Sequence, residues 1–542
     1  MSIVVKYSDV AIGAKESFDI TFDKVLPPSN TSLVNAEAAT FGRYDIPFEL
    51  NSMILDGEAD FLPEEGLAQI GFISDVMCGE DGEFETPITF ELVSDENFAS
   101  PGLQITFDEN KNIYATHVRI KWFNGNLLLK DQDFYPNSAK YFFNSRTEFY
   151  NRVVFEFYSL NVPRNRLRVN HIDYGLVVEF SGDELKGAKI IQEIDPISSS
   201  VPINTFDFTV ESKKNIEFSF QTKQPIKVFV DDQLRATAFV KSSVRKARTI
   251  WNIQSEDYIG LMDTIFFKGG MYYEKDALEL IDEIFSAAKA PYSTDGQFDG
   301  IVLSGHIPYI SCREALMQVV FAIGAIADTS NSEYVKIFRL DEKNIKSIPK
   351  NRILQGQRFQ SNTRVTAVEL MSHSYGETND DLVVYDAEKS GTGSQIFVSF
   401  NEPLHDLSIE NGVIVESGAN HAVINAEDGC LLHGKKYEHT MVVKRKENPL
   451  ILSTDIENVI AIENATLVSS INVDQILDRC YDYLARTESV SMKIIDGRND
   501  EKTNVGDLVD FDTEYLGEKN GRIIRQSFSL IGGVLVKDSE VR

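Results

Sequence analysis

The chain has 542 residues, 42% of them hydrophobic, with 83 acidic against 53 basic side chains and a formal net charge of −30. That length exceeds what one hydrophobic core serves and predicts about three to five domains, and the acidic excess argues against an outer nucleic-acid-binding surface, which would be basic. Cys78, Cys312, Cys430 and Cys480 are far apart with no CxxC pair, which excludes a disulfide scaffold or zinc ribbon and suits a reducing cytoplasm.

Residues 1–35 are expected to form an N-terminal strand or arm. Their opening, MSIVVKYSDVAIGAKESF, places polar and charged residues where a secretion signal would have its apolar core, so no signal is expected. Residues 36–176 read as a β-sandwich. The stretches ILDGEADFLPEEG and CGEDGEFETP supply acidic turns. In Thr116 to Trp122, Val118, Ile120 and Trp122 alternate with polar residues, the period of a half-buried strand. Asn124-Gly125 is expected to make a tight hairpin turn, with Leu127 and Leu129 opening the return strand. The runs VVFEF (153–157) and PRNRLRVNHIDYG close the segment.

Residues 177–258 give short strands consistent with a small β-barrel. Asp195-Pro196 and Gln224-Pro225 interrupt the chain before strands, and Asp231-Asp232 sits where a hairpin turn would. At residues 259–349 the pattern changes to a small α/β domain. Asp276 with Glu279 marks one helix start, followed by Leu278, Ile281, Ile284 and Phe285 at helical spacing. Ser311 with Glu314 is a second capping box, opening a helix with Leu316, Val319, Val320, Ile323 and Ile326. Apolar residues nearly all round predict deep burial, so the apolar run Val319 to Ala327 reads as a core helix, too short to cross a membrane. IVLSGHI and YVKIFRL supply strands.

Residues 350–375 and 490–542 are expected to form a second barrel, with TRVTAVELM (363–371) as one strand and Gly532-Gly533 at a hairpin. Between them, 376–489 reads as an inserted β-domain carrying a helix from Val473 to Ala485, with Ile476, Leu477, Cys480 and Leu484 on one face. No solenoid repeat is visible. The expected fold is mainly β and multidomain: a sandwich, two barrels, a small α/β domain and a β-insertion.

Residues Gly182 to Tyr272 (GDELKGAKIIQEIDPISSSVPINTFDFTV, then IEFSFQTKQPIKVFVDDQLRATAFVKSSVRKARTIWNIQSEDYIGLMDTIFFKGGMY), with HIPYISCREALMQVVFAIGAIADTSNSEYVKIF and NVGDLVDFDTEYLG further on, resemble the tail hub (tail-tip or baseplate hub) protein of Firmicutes bacteriophages and prophages. The likeness runs over roughly the last two thirds of the chain. It implies two hub-type barrels per chain and a homotrimer forming a pseudo-sixfold ring. That ring would adapt the hexameric tail tube to the tip and gate the passage for DNA and the tape-measure protein. The implied partners are the distal tail protein and tail tube, the tape-measure protein and a tip fibre or spike. The implied location is the virion tail tip or baseplate, assembled in the host bacterial cytoplasm without membrane anchoring. DNA would pass without specific binding, and the net acidity then has two readings, a solvated surface or an acidic lumen. The order ATHVRIKW, FYPNS, VVFEFYSL, RLRVNHIDYG also resembles discoidin-like galactose-binding sandwiches, which makes a carbohydrate-binding adhesin the alternative function.

No enzyme signature is found: there is no GxSxG elbow and no HExxH helix, and the chain ends soon after NVGDLVDFDTEYLG, leaving no expected room for a hydrolase domain. No cofactor or metal is expected. Cys430, His433 and His439 come nearest to a metal set but lack a fourth ligand. The glycine-rich Ser390 to Ser394 leads into a strand, whereas a phosphate loop needs a helix after it. Cys312 lies near a helix start but without a partner histidine reads as core. Trp122 and Trp251 sit in strand patterns and also read as core. The one candidate site is a partner-docking basic patch: from Gln233 to Ser255 there is no acid, while Arg235, Lys241, Arg245, Lys246 and Arg248 are cationic. Its alternative is a solvated strand face balanced by nearby acids.

Overall fold

Alternation of apolar and polar residues organises most of the chain into antiparallel ladders. The computed structural model describes residues 3–26, 44–45, 60–61, 71–212, 220–452, 454, 456–495, 502–514, 516–531 and 534–542. The protein is mainly β with several sheets, and it divides into two compact units.

One unit comprises Val5–Phe180 and Ser212–Ile226. Its seven-stranded sheet is built on two long strands, Glu83–Phe107 and Lys140–Leu160, paired with each other along most of their length. The first also pairs with Asp19–Phe22 and Arg166–Asp173, and the second with Ala115–Asn124. Their ladder is interrupted by register shifts between Val93 and Phe98, Phe98 and Ser100, and Ser100 and Gly102, the kind of irregularity that lets long strands bend. Phe72, Phe90, Phe107, Phe143, Phe155 and Phe157 fill the interior. Val118, Ile120 and Trp122 all point into it, as their alternation requires. The hairpin turn lies one residue later than expected: Asn124 still pairs with Leu127, so Gly125 (φ 55°) and Asn126 make the turn. The part of the expected sandwich between 36 and 70, with its acidic turn ILDGEADFLPEEG, lies outside the described residues except for Tyr44–Asp45 and Asp60–Phe61, which pair in parallel.

The other unit comprises Met1–Val4, Ser181–Glu211 and Lys227–Arg542. Ser212 and residues 220–226, expected within the first barrel, therefore group with the first unit. A continuous ladder runs from Pro225–Val230 through Gln233–Arg245, Ile250–Glu256, Thr205–Glu211 and Leu185–Glu193. It continues through Glu518–Ile531, Val534–Val541 and Glu488–Lys493 to Arg358–Ser361. Asp231 and Asp232 form its first hairpin turn, both with positive φ (49° and 61°), as a two-residue type I′ turn requires. Ile531 pairs with Val534, while the expected turn residues Gly532-Gly533 lie outside the described residues.

The α/β part carries the two capped helices. The Asp276 side chain accepts hydrogen bonds from the Leu278 and Glu279 amides at the start of Ala277–Ala288. Ser311 and Glu314 form a complete capping box at the start of Cys312–Ile323, which is buried almost all round. Ile326, expected on that helix, lies beyond its end: Gly324 adopts φ 73° and stops the helix, and Ile326–Asp328 is a strand. Ile345–Ile348, expected here too, pairs instead with Leu508–Asp512 of the C-terminal sheet.

A third sheet is built on Ala367–Asp386 and His421–Glu447, flanked by Gly393–Ser399, Leu404–Ser417 and Val459–Ile462. Residues 367–371, expected in the second barrel, are therefore part of the inserted sheet, because Ala367 to Met371 pair with Val443 to Glu447. The helix Val473–Leu484 buries Ile476, Leu477 and Cys480 against Val368 and Leu370 of that sheet. No helix among the described residues is long and apolar enough to cross a membrane.

Candidate assembly interface

The five cations of the basic patch lie on or beside one hairpin, Gln233–Arg245 with Ile250–Glu256, and the structure separates them into three environments. Arg235 is buried. It donates to Asn331 Oδ1 (3.2 Å) and Asn504 Oδ1 (3.1 Å), and its guanidinium lies over the Phe528 ring at 5.4 Å. Lys241 keeps an exposed side chain but ends 2.6 Å from the nearly buried Glu256 carboxylate. Arg245, Lys246 and Arg248 are exposed around the turn. Arg245 stacks over Trp251 at 5.0 Å and donates to the Arg248 carbonyl at 2.7 Å, so the turn is held in one shape. Val244 beside it is 57% exposed. The local lack of acids in the sequence thus yields a compact cationic tip rather than a five-residue surface.

The same ladder connects the strands expected in separate barrels. Leu185–Glu193 pairs with Glu518–Ile531 in unbroken antiparallel register from Ala188↔Leu530 to Glu193↔Arg525. Behind this seam lies a polar interior in which Gln192 Nε2 donates to the Arg235 carbonyl (2.7 Å) and Lys537 Nζ donates to Thr503. Most buried polar groups in proteins are paired, and these pairs tie residues near 190, 235, 330 and 505 into one arrangement.

The remaining candidates have separate surroundings. Cys430 is buried, His433 Nδ1 lies 2.9 Å from Asp381, and His439 Nε2 lies 2.9 Å from His373 Nδ1. Among the described residues no three His, Cys, Asp or Glu converge as metal ligands would. Burial pushes the Cys312 thiol up to about 11, so it stands as a thiol in the core despite its place in a helix's first turn. Gly391, at φ 93°, ends the short helix Ala387–Ser390 and leads into the strand Gly393–Ser399. Trp122 and Trp251 are both buried.

Two groupings escaped the sequence because cross-strand neighbours leave no local pattern. His373 and His439 stack near Tyr375, whose ring lies 4.4 Å from that of His439. In the first unit, His117 is sandwiched between Tyr135 (5.0 Å) and the Tyr158 ring (4.7 Å), with His117 Nε2 2.9 Å from Asp133. Tyr135 is 68% exposed.

No family model and no curated protein matches the chain. Among solved structures it is similar to a tail protein from Neisseria meningitidis MC58 at 11% identity and a TM-score of 0.43, covering 67% of this chain and 93% of that one. It is similar to the 43 kDa tail protein of prophage MuSo2 from Shewanella oneidensis at 10% identity and a TM-score of 0.44, covering 67% and 94%. A prophage tail protein, gp18, from Listeria monocytogenes shows 10% identity and a TM-score of 0.38, covering 67% and 90%. Likeness this distant transfers no activity or partner to the chain.

Proposed function

We propose that the protein is a structural hub of a phage tail tip or baseplate. Three chains form a ring that adapts a hexameric tail tube to the tip and gates the passage of DNA and the tape-measure protein. The observation that carries this reading is the seam from Ala188↔Leu530 to Glu193↔Arg525. It joins the two strand sets whose sequences resemble hub barrels, so one chain offers two covalently linked ring segments, and three chains offer six. The exposed turn bearing Arg245, Lys246 and Arg248 is the contact with an acidic neighbouring subunit, since opposite charge gives orientation and encounter rate across an interface. The net charge of −30 suits a lumen from which DNA is repelled. The role is mechanical rather than catalytic. The partners are the tail tube with its distal tail protein, the tape-measure protein and a tip fibre or spike, and no membrane anchor is involved.

A second reading concerns the first unit alone. The exposed Tyr135 ring stacked on His117, beside Asp133 and the Arg119–Asp131 pair (2.6 Å), offers the aromatic face and polar rim that a saccharide uses. On this reading the sandwich, discoidin-like by sequence, binds host glycan.

Light scattering on the purified chain tests the main reading. The expected mass is three times the 61.0 kDa protomer, with a central hole visible in particle images. A species that stays monomeric even when mixed with tail tubes, and that binds cell-wall glycan, would replace it with the adhesin.

A further inference from the structure

One cavity of the second unit contradicts the charge of the whole chain. It encloses about 550 Å³ and is lined by Arg339, Arg479, Arg486, Arg522 and Arg542. Glu342 and Asp482 are the only acids in the lining. Five arginines drawn from four separate stretches of sequence line one space in a molecule of net charge −30.

The contacts of these arginines do not neutralise them. Arg522 is the exception, 2.7 Å from Glu342 and bonded to the Gly506 and Asp341 carbonyls. Arg479 donates through Nη2 to the carbonyls of Ile197 (2.6 Å) and Phe321 (3.2 Å), while its Nε and Nη1 are buried with no hydrogen-bond partner. Arg339 donates to the Ile323 carbonyl at 3.2 Å. Arg542 lies over the Tyr483 ring at 4.4 Å and donates to the Arg486 carbonyl, with its Nε buried and unbonded. Among the described residues none of Arg339, Arg479, Arg486 and Arg542 has a carboxylate within ion-pairing distance.

Two of these groups serve the C-terminus of the helix Cys312–Ile323, whose last carbonyls carry about half a negative charge. That accounts for one nitrogen of Arg479 and one of Arg339, and leaves several cationic charges over. Burial holds the Arg479 guanidinium below its ordinary value; Asp195 opposes this and Arg339 adds like-charge repulsion. A buried charged donor without an acceptor is unfavourable, and an anionic group in this space would relieve it. Guanidinium forks match oxyanions bidentately, and the volume lies within the range of small-ligand sites.

We propose that this cavity is an oxyanion-binding site that takes a ligand bearing two or more anionic oxygens, held by Arg479 in the interior and Arg486 at the exposed mouth. The chemistry is shared by free phosphate-class anions and by clustered carboxylates. The inference does not rest on the tail-hub reading.

Calorimetric titration of the full chain with sodium pyrophosphate and, separately, with citrate, both at fixed ionic strength, tests it. The expected result is saturable one-to-one binding with a raised unfolding temperature. Arg486→Gln and Arg479→Met each weaken it by about tenfold or more, the worth of one charge-assisted hydrogen bond. Arg486 is exposed, so its variant reports on the site even where Arg479→Met fails to fold. Arg146→Gln, in the other unit, serves as the unaffected control. Binding of pyrophosphate assigns a phosphate-class ligand, and binding of citrate alone assigns carboxylates. Absence of saturable binding by either anion, or equal binding by the wild type and Arg486→Gln, overturns the proposal.

Discussion

His373 Nδ1 lies 2.9 Å from His439 Nε2 across the paired strands Ala367–Asp386 and His421–Glu447. At that distance one nitrogen must donate and the other accept, so a single proton lies between the two facing nitrogens of the neutral rings; two imidazolium rings there would repel.

Stability should therefore fall in acid, and the sign follows from the direction of the shifts. Burial lowers His373 and His439 below the ordinary 6.5, and the two rings' proximity adds to it for His373. Burial also lowers His306, which bonds Asn420 Oδ1 at 2.6 Å. The unfolded chain then takes up protons first, so this contribution is whole above pH 6.5 and is lost as pH falls from there through the lower folded values. Urea midpoints measured from pH 8 to 5 should show the loss. His439→Gln keeps a donor and an acceptor beside His373 but does not titrate, and should flatten that acid limb. An unchanged limb would mean that other groups set it.

Inside the first unit, Arg168 and Asp108 form an ion pair at 3.2 Å with both side chains fully buried. Removing one partner strands the other charge in the core, a loss of about 3–5 kcal/mol. Asp108→Asn keeps the shape and should lower the urea midpoint of this unit strongly. Replacing both residues with apolar ones should cost less than Asp108→Asn alone. If the double change is the worse of the two, the pair itself is the stabilising element.

Local chemistry was legible in the sequence, and long-range pairing was not. Asp276 and Ser311 announced two helix starts because a cap and its acid lie within four residues, and Asp231-Asp232 announced a turn because positive φ is a property of the residues themselves. The alternation at Val118, Ile120 and Trp122 named a buried face. By contrast, a strand's own pattern does not say which edge it joins. Residues 367–371 read correctly as a strand yet went to the inserted sheet, and the seam between Ile190 and Phe528 bridges more than three hundred residues. The basic patch shows the same limit within one hairpin. Charge counting found the five cations, but only packing reveals that Arg235 faces inward against Phe528 while Arg248 faces out. The arginines around Arg479 were invisible for the same reason, since their convergence exists only in three dimensions.

That division of the patch yields a prediction about assembly. Lys246 and Arg248 are exposed at the turn, and Arg245 maintains the turn's shape through Trp251 and the Arg248 carbonyl. Reversing the outer two (Lys246→Glu with Arg248→Glu) should leave the protomer's unfolding midpoint nearly unchanged, within about 0.5 kcal/mol per surface substitution. It should nevertheless weaken ring formation, because the charge that meets an acidic neighbour has changed sign. The difference from wild type should close as salt rises toward about 1 M, where the screening length is about 3 Å. Arg235→Met should behave in the opposite way. It removes the bonds to Asn331 and Asn504, so it should lower protomer stability while leaving the salt dependence of assembly intact, since a buried guanidinium is not offered to a neighbouring subunit. Sedimentation of both variants across a salt series separates the cases. Wild-type assembly by the doubly reversed turn at low salt would exclude this hairpin as the subunit contact.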